Sequence, residues 1–256
     1  MRTIAHVHAV LRKALRDAVE VDEILPAKPA LRAKLPKRPH EEPGAVWTPA
    51  QLRAFLETAK GHRLYAFYRL AAYTGARRGE LLNLRWKDVD LDKPEILISG
   101  SAAVVDRERV EGTTKSGRSR VVSIDTQTVA VLRAHRAQQK ADRLALGEDW
   151  KGTGDYVFTT AWGEPIYPST PSALMTKLVR EHNTQKPADP LPAARLHSLR
   201  HIHATTLLLS GGAVHVVAAR LGHADPAITL RVYAHVISFQ MAAVADIFAK
   251  AIDEAA

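Results

Sequence analysis

The chain has 256 residues, 46% hydrophobic and 25% charged, with 36 Lys plus Arg against 27 Asp plus Glu, a formal charge of +9. That length allows one or two domains with a real core, that balance excludes a disordered chain, and the absence of cysteine excludes disulfides, thiolate metal sites and a thiol nucleophile, as in a reducing cytosol. No apolar run approaches the roughly 18–20 residues of a membrane span, Arg12, Lys13, Arg16 and Asp17 interrupt any leader-like core, and the positive excess points to a polyanion partner, nucleic acid first.

Residues 2–25 read as one amphipathic helix, with Ile4, Val7, Leu11, Leu15 and Val19 at helical spacing. Five prolines and five basic residues between Pro26 and Pro43 make residues 26–44 an extended linker. The main domain, 45–256, opens at Thr48-Pro49-Ala50-Gln51, a cap, a first-turn proline and a glutamine placed to close a capping box. Helices are expected at His62–Tyr73 and Arg78–Leu84. Strands are expected at Glu95–Gly100, Arg107–Glu111 and Arg118–Ile124, forming a small three-stranded antiparallel meander whose last two members join through residues 112–117. A helix follows at Gln127–Leu146, then a short pair of Tyr156–Thr159 with Glu164–Ile166, then a helix at Pro171–His182. The last third is helical: Ser198 as cap of a helix to Leu209, Val214–Leu221 closed by Gly222, a helix opened by Asp225-Pro226, and an amphipathic tail from Phe239 to Ile252. The fold class is therefore α+β, mainly α-helical.

Nucleotide and metal signatures are missing: there is no glycine-rich loop ending in Lys-Ser/Thr and no His-Glu-x-x-His. His197 and His201 have zinc-like spacing, but no nearby carboxylate completes a site. Other polar residues are more telling. Arg77 stands at the mouth of a helix, where the dipole also favours anions. Arg200 follows His197 by three, so both share a helix face. Lys115 sits at a hairpin tip beside Gly117, His223 follows the helix-ending Gly222, and Tyr233 lies ten residues on. Two arginines, a lysine, two histidines and a tyrosine suit a phosphodiester: guanidiniums grip non-bridging oxygens, tyrosine supplies a nucleophile, lysine and histidine move protons.

Four segments carry a resemblance: Thr74-Gly75-Ala76-Arg77-Arg78-Gly79-Glu80-Leu81, Thr114-Lys115-Ser116-Gly117, His197-Ser198-Leu199-Arg200-His201, and Leu221-Gly222-His223 followed by Tyr233-Ala234-His235. In this order they resemble the boxes of the tyrosine recombinases, the phage integrase family, over about residues 45–245. The resemblance implies the catalytic fold of that family and attack by Tyr233 on a DNA phosphate, giving a 3′-phosphotyrosyl intermediate that a second 5′-hydroxyl reseals. Arg77 and Arg200 would clamp the phosphate, Lys115 would protonate the leaving oxygen, His197 would serve proton transfer, His223 would hydrogen-bond the phosphate, and Glu80 would support the site. Arg78, Arg85, Lys87, Arg118 and Arg120 are candidate DNA-backbone contacts. His201, His203 and His235 are read mainly as packing residues or as supports of the residues that would touch the phosphate. No metal or cofactor is implied.

The implied partners are double-stranded DNA, at the nucleoid of the cytoplasm, and further copies of the chain in a DNA-bound tetramer, with the tail after Phe239 packing on a neighbour; no membrane is involved. Against the family pattern, residues 1–25 look like only the last helix of an N-terminal core-binding domain, so the chain looks truncated and half of a DNA clamp is missing. Three other readings stay open: a type IB topoisomerase with similar residues, a catalytically idle DNA-binding remnant, and a metal-dependent hydrolase built on the histidines.

Overall fold

A computed structural model of the chain describes residues 2–36, 46–114, 117–225, 227, 229–230 and 252–253. It divides into two units, 1–44 and 45–256. In the first, helix α1 spans Arg2–Glu20. It stops short of the expected Leu25 because Glu23 turns left-handed (φ 53°) and the Ile24 and Leu25 amides fold back onto the Ala18 carbonyl. A single 3-10 turn, Pro29–Arg32, follows within the proline-rich stretch.

The second unit begins where the sequence places it. Thr48 caps α2 (Pro49–Ala59): its hydroxyl accepts from the Gln51 amide at 3.2 Å and the Gln51 side chain accepts from the Thr48 amide at 2.9 Å. Helix α3 (Tyr65–Thr74) is buried on nearly every side and forms the centre of the core. Phe67 and Tyr68 meet edge to face, Phe55 packs on Tyr68, and Phe158 packs on Phe67. Arg69 is buried too. It donates to Asp125 at 3.0 Å and Thr128 at 3.1 Å and stacks on Tyr73, which ties α3 to the start of α5 (Thr126–Leu146).

Helix α3 ends at Gly75 (φ 64°), and after two residues the short α4 (Arg78–Leu82) begins. The strands differ from the expected meander. β1 (Val89–Asp90), β2 (Glu95–Ile98) and β5 (Arg120–Ser123) make a three-stranded antiparallel sheet in the order β1-β2-β5, with Ile96 opposite Val122. β3 (Gly100–Val105) and β4 (Glu108–Thr113) pair separately as a hairpin. The reason is burial. Ile96, Ile98 and Val122 alternate inward, whereas β4 buries none of its residues and takes as partner the small-residue strand Gly100–Val105, which lacks a strand-like apolar pattern. The expected pair at 156–159 and 164–166 reduces to one bridge, Thr159 with Pro165.

Helix α6 spans Thr170–Gln185, α7 Leu196–Leu209 and α8 Val214–Leu221. Helix α7 starts two residues before the expected cap. Arg195 is the cap residue, and the Ser198 hydroxyl accepts from its amide at 3.2 Å from the third helical position. Leu208, Val217 and Leu221 close a small second core between α7 and α8. The tail from Phe239 and the helix opened by Pro226 lie largely outside the described residues; the Asp225 carboxylate does accept from the Ala227 amide at 2.8 Å, as a cap does.

Gly75 joins these parts. A Cβ there would stand 2.6 Å from Leu221 and 2.9 Å from the His203 ring, on a left-handed backbone. Gly75→Ala should therefore cost about 2 kcal/mol or more of stability. Urea unfolding reads this, and a wild-type midpoint would show that α8 does not press on this turn.

Candidate active site

The turn after Gly75 aims Arg77, the residue that caps α4. Its amide donates to Glu80 Oε2 at 2.8 Å and its Nη1 donates to Oε1 at 2.8 Å. Glu80 is 2% exposed. Burial alone would push its pKa up, but hydrogen bonds and charge from Arg120, then from Arg77, hold it below the usual carboxylate range. Arg120 grips the same carboxylate with both ends of its fork, at 3.1 and 2.7 Å, and donates through Nε to the Arg220 carbonyl at 3.0 Å. It was expected on a DNA backbone; its side chain is instead only 10% exposed and turned inward.

Arg200 comes from the first turns of α7 and is 4% exposed, with Nη1 on the Gly75 carbonyl at 2.7 Å. The rings of His197 and His201 meet edge to face at 4.9 Å. Behind them, His203 accepts from Arg220 Nε at 3.1 Å and bonds the Ala72 backbone. Arg220 also donates to the carbonyls of Tyr73 and Ser123, at 3.0 and 2.9 Å. Sequence reasoning missed Arg220, whose only local signal is a basic residue in the last turn of a helix; His203 supports it from behind, one of the two readings open for that histidine.

Helix α8 ends at Gly222 (φ 68°), and His223 follows. Arg77 Nη2 donates to the Gly222 carbonyl at 3.3 Å, and His223 Nδ1 lies 2.7 Å from the Thr229 hydroxyl. Burial, then the positive charges of Arg200, Arg77, Arg120 and His197, push the His223 pKa down to about 4. Arg77, Glu80, His197, Arg200 and His223, drawn from three separate segments, therefore share one electropositive site. Lys115 and Tyr233 lie outside the described residues. On either side of Lys115 and Ser116, Thr114 donates to the Arg118 carbonyl at 2.7 Å and the Gly117 amide to the Thr114 carbonyl at 2.8 Å.

The remaining expected DNA contacts divide. Arg78, Lys87 and Arg118 are exposed, Arg78 donating to Ser172 at 3.0 Å. Arg85 is engaged within the protein: it stacks over Tyr156 and donates to the Gly154 carbonyl at 2.7 Å and to Glu111 at 2.9 Å. Among the described residues no three His, Cys, Asp or Glu side chains cluster in a way that could hold a metal ion.

The family model described as the phage integrase family matches residues 46–238. The chain belongs to the phage integrase family. Among integrase-family relatives it is 31% identical to a tyrosine recombinase XerC-like protein of Caldanaerobacter subterraneus over 202 residues, 74% of this chain and 50% of that one. It is 29% identical to the ICEBs1 integrase of Bacillus subtilis, over 78% of this chain and 53% of that one. The chain thus spans about half the length of these curated relatives. The fold is similar to that of the Tn1549 transposon integrase in complex with transposon right end DNA (TM-score 0.77, 20% identity, 91% of this chain and 75% of that one). It is also similar to that of XerA recombinase (TM-score 0.59, 21% identity, 95% and 82%). No helix among the described residues is long and apolar enough to cross a membrane.

The histidines of this integrase-family site set a pH dependence. Burial, then the charge of Arg220, lower His203 to about 4, and protonating the nitrogen that accepts from Arg220 would set a proton against that donor. The unfolded chain binds these protons near pH 6.5, so stability is full above that pH and is lost as pH falls toward 4. Each of these part-buried histidines contributes at most about 3 kcal/mol of this loss. Urea midpoints at pH 7.5 and 4.5 measure it. His203→Gln should reduce the difference, and an unchanged difference would exclude His203 as one of its sources.

Proposed function

We propose that this protein performs site-specific DNA recombination by tyrosine transesterification. One observation carries the reading: Arg77, Arg200, His197 and His223 converge on one site while Glu80 and Arg120 hold Arg77 within it. Such a site matches the charge of a phosphodiester and of the pentacoordinate transition state. Family membership supports the same chemistry.

In this mechanism duplex DNA lies across the site and Tyr233 attacks the scissile phosphorus through its phenolic oxygen. The phosphorus–O5′ bond breaks, and the DNA 3′ end is left as a phosphotyrosyl ester. Lys115 gives the leaving 5′-oxygen its proton, while His197 takes the phenolic proton or relays it. Arg77 and Arg200 bind the non-bridging oxygens bidentately. His223, neutral at pH 7, hydrogen-bonds the same phosphate. A 5′-hydroxyl from a second duplex then reverses the step and seals the new junction. The phosphotyrosyl bond conserves the energy of the broken one, so no cofactor enters the balance. Four copies on paired duplexes would complete the exchange, the tail after Phe239 bridging neighbours, in the cytoplasm at the nucleoid. Arg78, Lys87 and Arg118 would meet backbone phosphates.

A duplex nicked so that the cleaved fragment diffuses away traps the intermediate. Wild-type protein should give a denaturation-resistant protein–DNA adduct, and Tyr233→Phe should give none. An adduct that survives Tyr233→Phe would overturn the nucleophile, and no wild-type adduct would support the idle-remnant reading. Plasmid relaxation without joining of a second duplex would move the protein to the topoisomerase reading.

A further inference from the structure

Glu80 presents an electrostatic problem that Arg77 cannot solve alone. A buried carboxylate paired with one arginine makes a neutral pair, and an arginine so neutralised does little to stabilise charge that builds on a phosphate in the transition state. Arg120 changes the sum. Two guanidiniums on one carboxylate leave the cluster with a net positive charge of one. The fork of Arg120 covers both Glu80 oxygens, at 3.1 and 2.7 Å, and Arg77 needs only Oε1 for its side chain and Oε2 for its amide.

The same guanidinium reaches a second part of the site. Its Nε donates to the Arg220 carbonyl, an acceptor at the end of α8 with no partner inside that helix. It lies so close to the backbone of Gly222 that a Cβ there would stand 2.6 Å from Arg120 Nη1. The Gly222 carbonyl in turn accepts from Arg77. Glu80 and the Gly222 turn are thus each bracketed by Arg77 and Arg120, and His223 is the next residue. Arg120 is also the first residue of β5, three positions after the described end of the Lys115 turn. Strand alternation fixes its direction: Val122 is buried on the face it shares with Arg120, and Val121 between them is 56% exposed.

We propose that Arg120 is a positioning residue: it balances the charge of Glu80 and pins the Gly222 turn, so that Arg77 and His223 address one phosphate together. This rests on the transesterase reading above. It replaces the expectation that Arg120 contacts DNA, and the two differ in what they do to binding and to rate.

The test compares wild type with Arg120→Gln, Arg120→Lys, Glu80→Gln and the Glu80→Gln/Arg120→Gln double variant on the nicked duplex. Single-turnover adduct formation at saturating DNA, DNA affinity against salt, and thermal unfolding are measured for each. Arg120→Gln should slow adduct formation by about 10- to 100-fold, the scale of a sub-ångström to one-ångström misplacement. Affinity should stay within about twofold and its salt slope should not change, because no phosphate contact is lost. Arg120→Lys, which keeps the charge but not the fork, should fall between. The double variant should be slowed by less than the product of the two single effects, because Arg120 acts in part through Glu80. A salt slope lower by about one with an undiminished saturated rate would make Arg120 a backbone contact and overturn the proposal. So would a rate that is wild-type per folded molecule while the melting temperature falls, since that is a purely structural role. If wild-type protein forms no adduct, the proposal falls together with the transesterase reading. A wild-type adduct with an undiminished Arg120→Gln rate overturns this proposal alone.

Discussion

The site depends on one buried carboxylate. Guanidiniums from α4, β5 and α7 repel one another, and nothing in an apolar interior would gather them without an anion. Glu80 supplies that anion from one turn beyond Arg77. Its desolvation is severe, and four hydrogen bonds offset it: two from Arg77 and two from Arg120. The geometry is specific because the fork of Arg120 and the cap position of Arg77 each admit few arrangements. Removing either arginine leaves a buried charge with half its partners, which is far more damaging than losing a surface ion pair.

Backbone carbonyls do the rest. Arg200 rests on the carbonyl of Gly75, Arg120 on that of Arg220, and Arg220 on those of Tyr73 and Ser123. Tyr73, Gly75 and Arg220 lie at or near the C-terminal ends of α3 and α8, where carbonyls without helical partners collect partial negative charge. The ends of elements therefore act as fixed counter-charges for the cations. Where that supply ends, the protein uses a neutral group: His203 stays unprotonated beside Arg220 because burial, then the charge of Arg220, disfavours an imidazolium there.

Much of this was visible in the amino-acid sequence wherever the chemistry is local. The Thr48 cap, the stop at Gly75 and the α8–Gly222 ending are decided by residues within a turn of one another. The Arg77, His197–Arg200 and His223 segments were legible for the same reason, since each is a short pattern at a helix end. Strand pairing was not, because β3 carries Gly, Ser and Ala without alternation and its partner is settled by which strands bury apolar faces. Ser198 was misplaced as a cap because a serine at the third helical position can satisfy the preceding amide as well as one at the cap. The inward turn of Arg120 could have been read from its period with Val122. Its role could not, since Glu80 and Arg220 are distant in sequence and only the folded chain shows that they share one guanidinium.

The same electrostatics govern what an anion does on arrival. Burial, then the arginines, depress His223, and the mutual repulsion of those arginines is only partly relieved by Glu80. A phosphate placed among them reverses both effects. It gives Arg77 and Arg200 an acceptor, and it raises the affinity of His223 for a proton by cancelling the charges that lowered it. By linkage, a ligand that favours protonated His223 binds more tightly as pH falls through the range in which that histidine titrates. A site whose cations are assembled before the ligand arrives needs little reorganisation when charge builds on the phosphate oxygens. In the proposed mechanism the assembly must survive without a phosphate, and the Arg77–Glu80–Arg120 cluster would meet that requirement by holding the carboxylate on its own arginines.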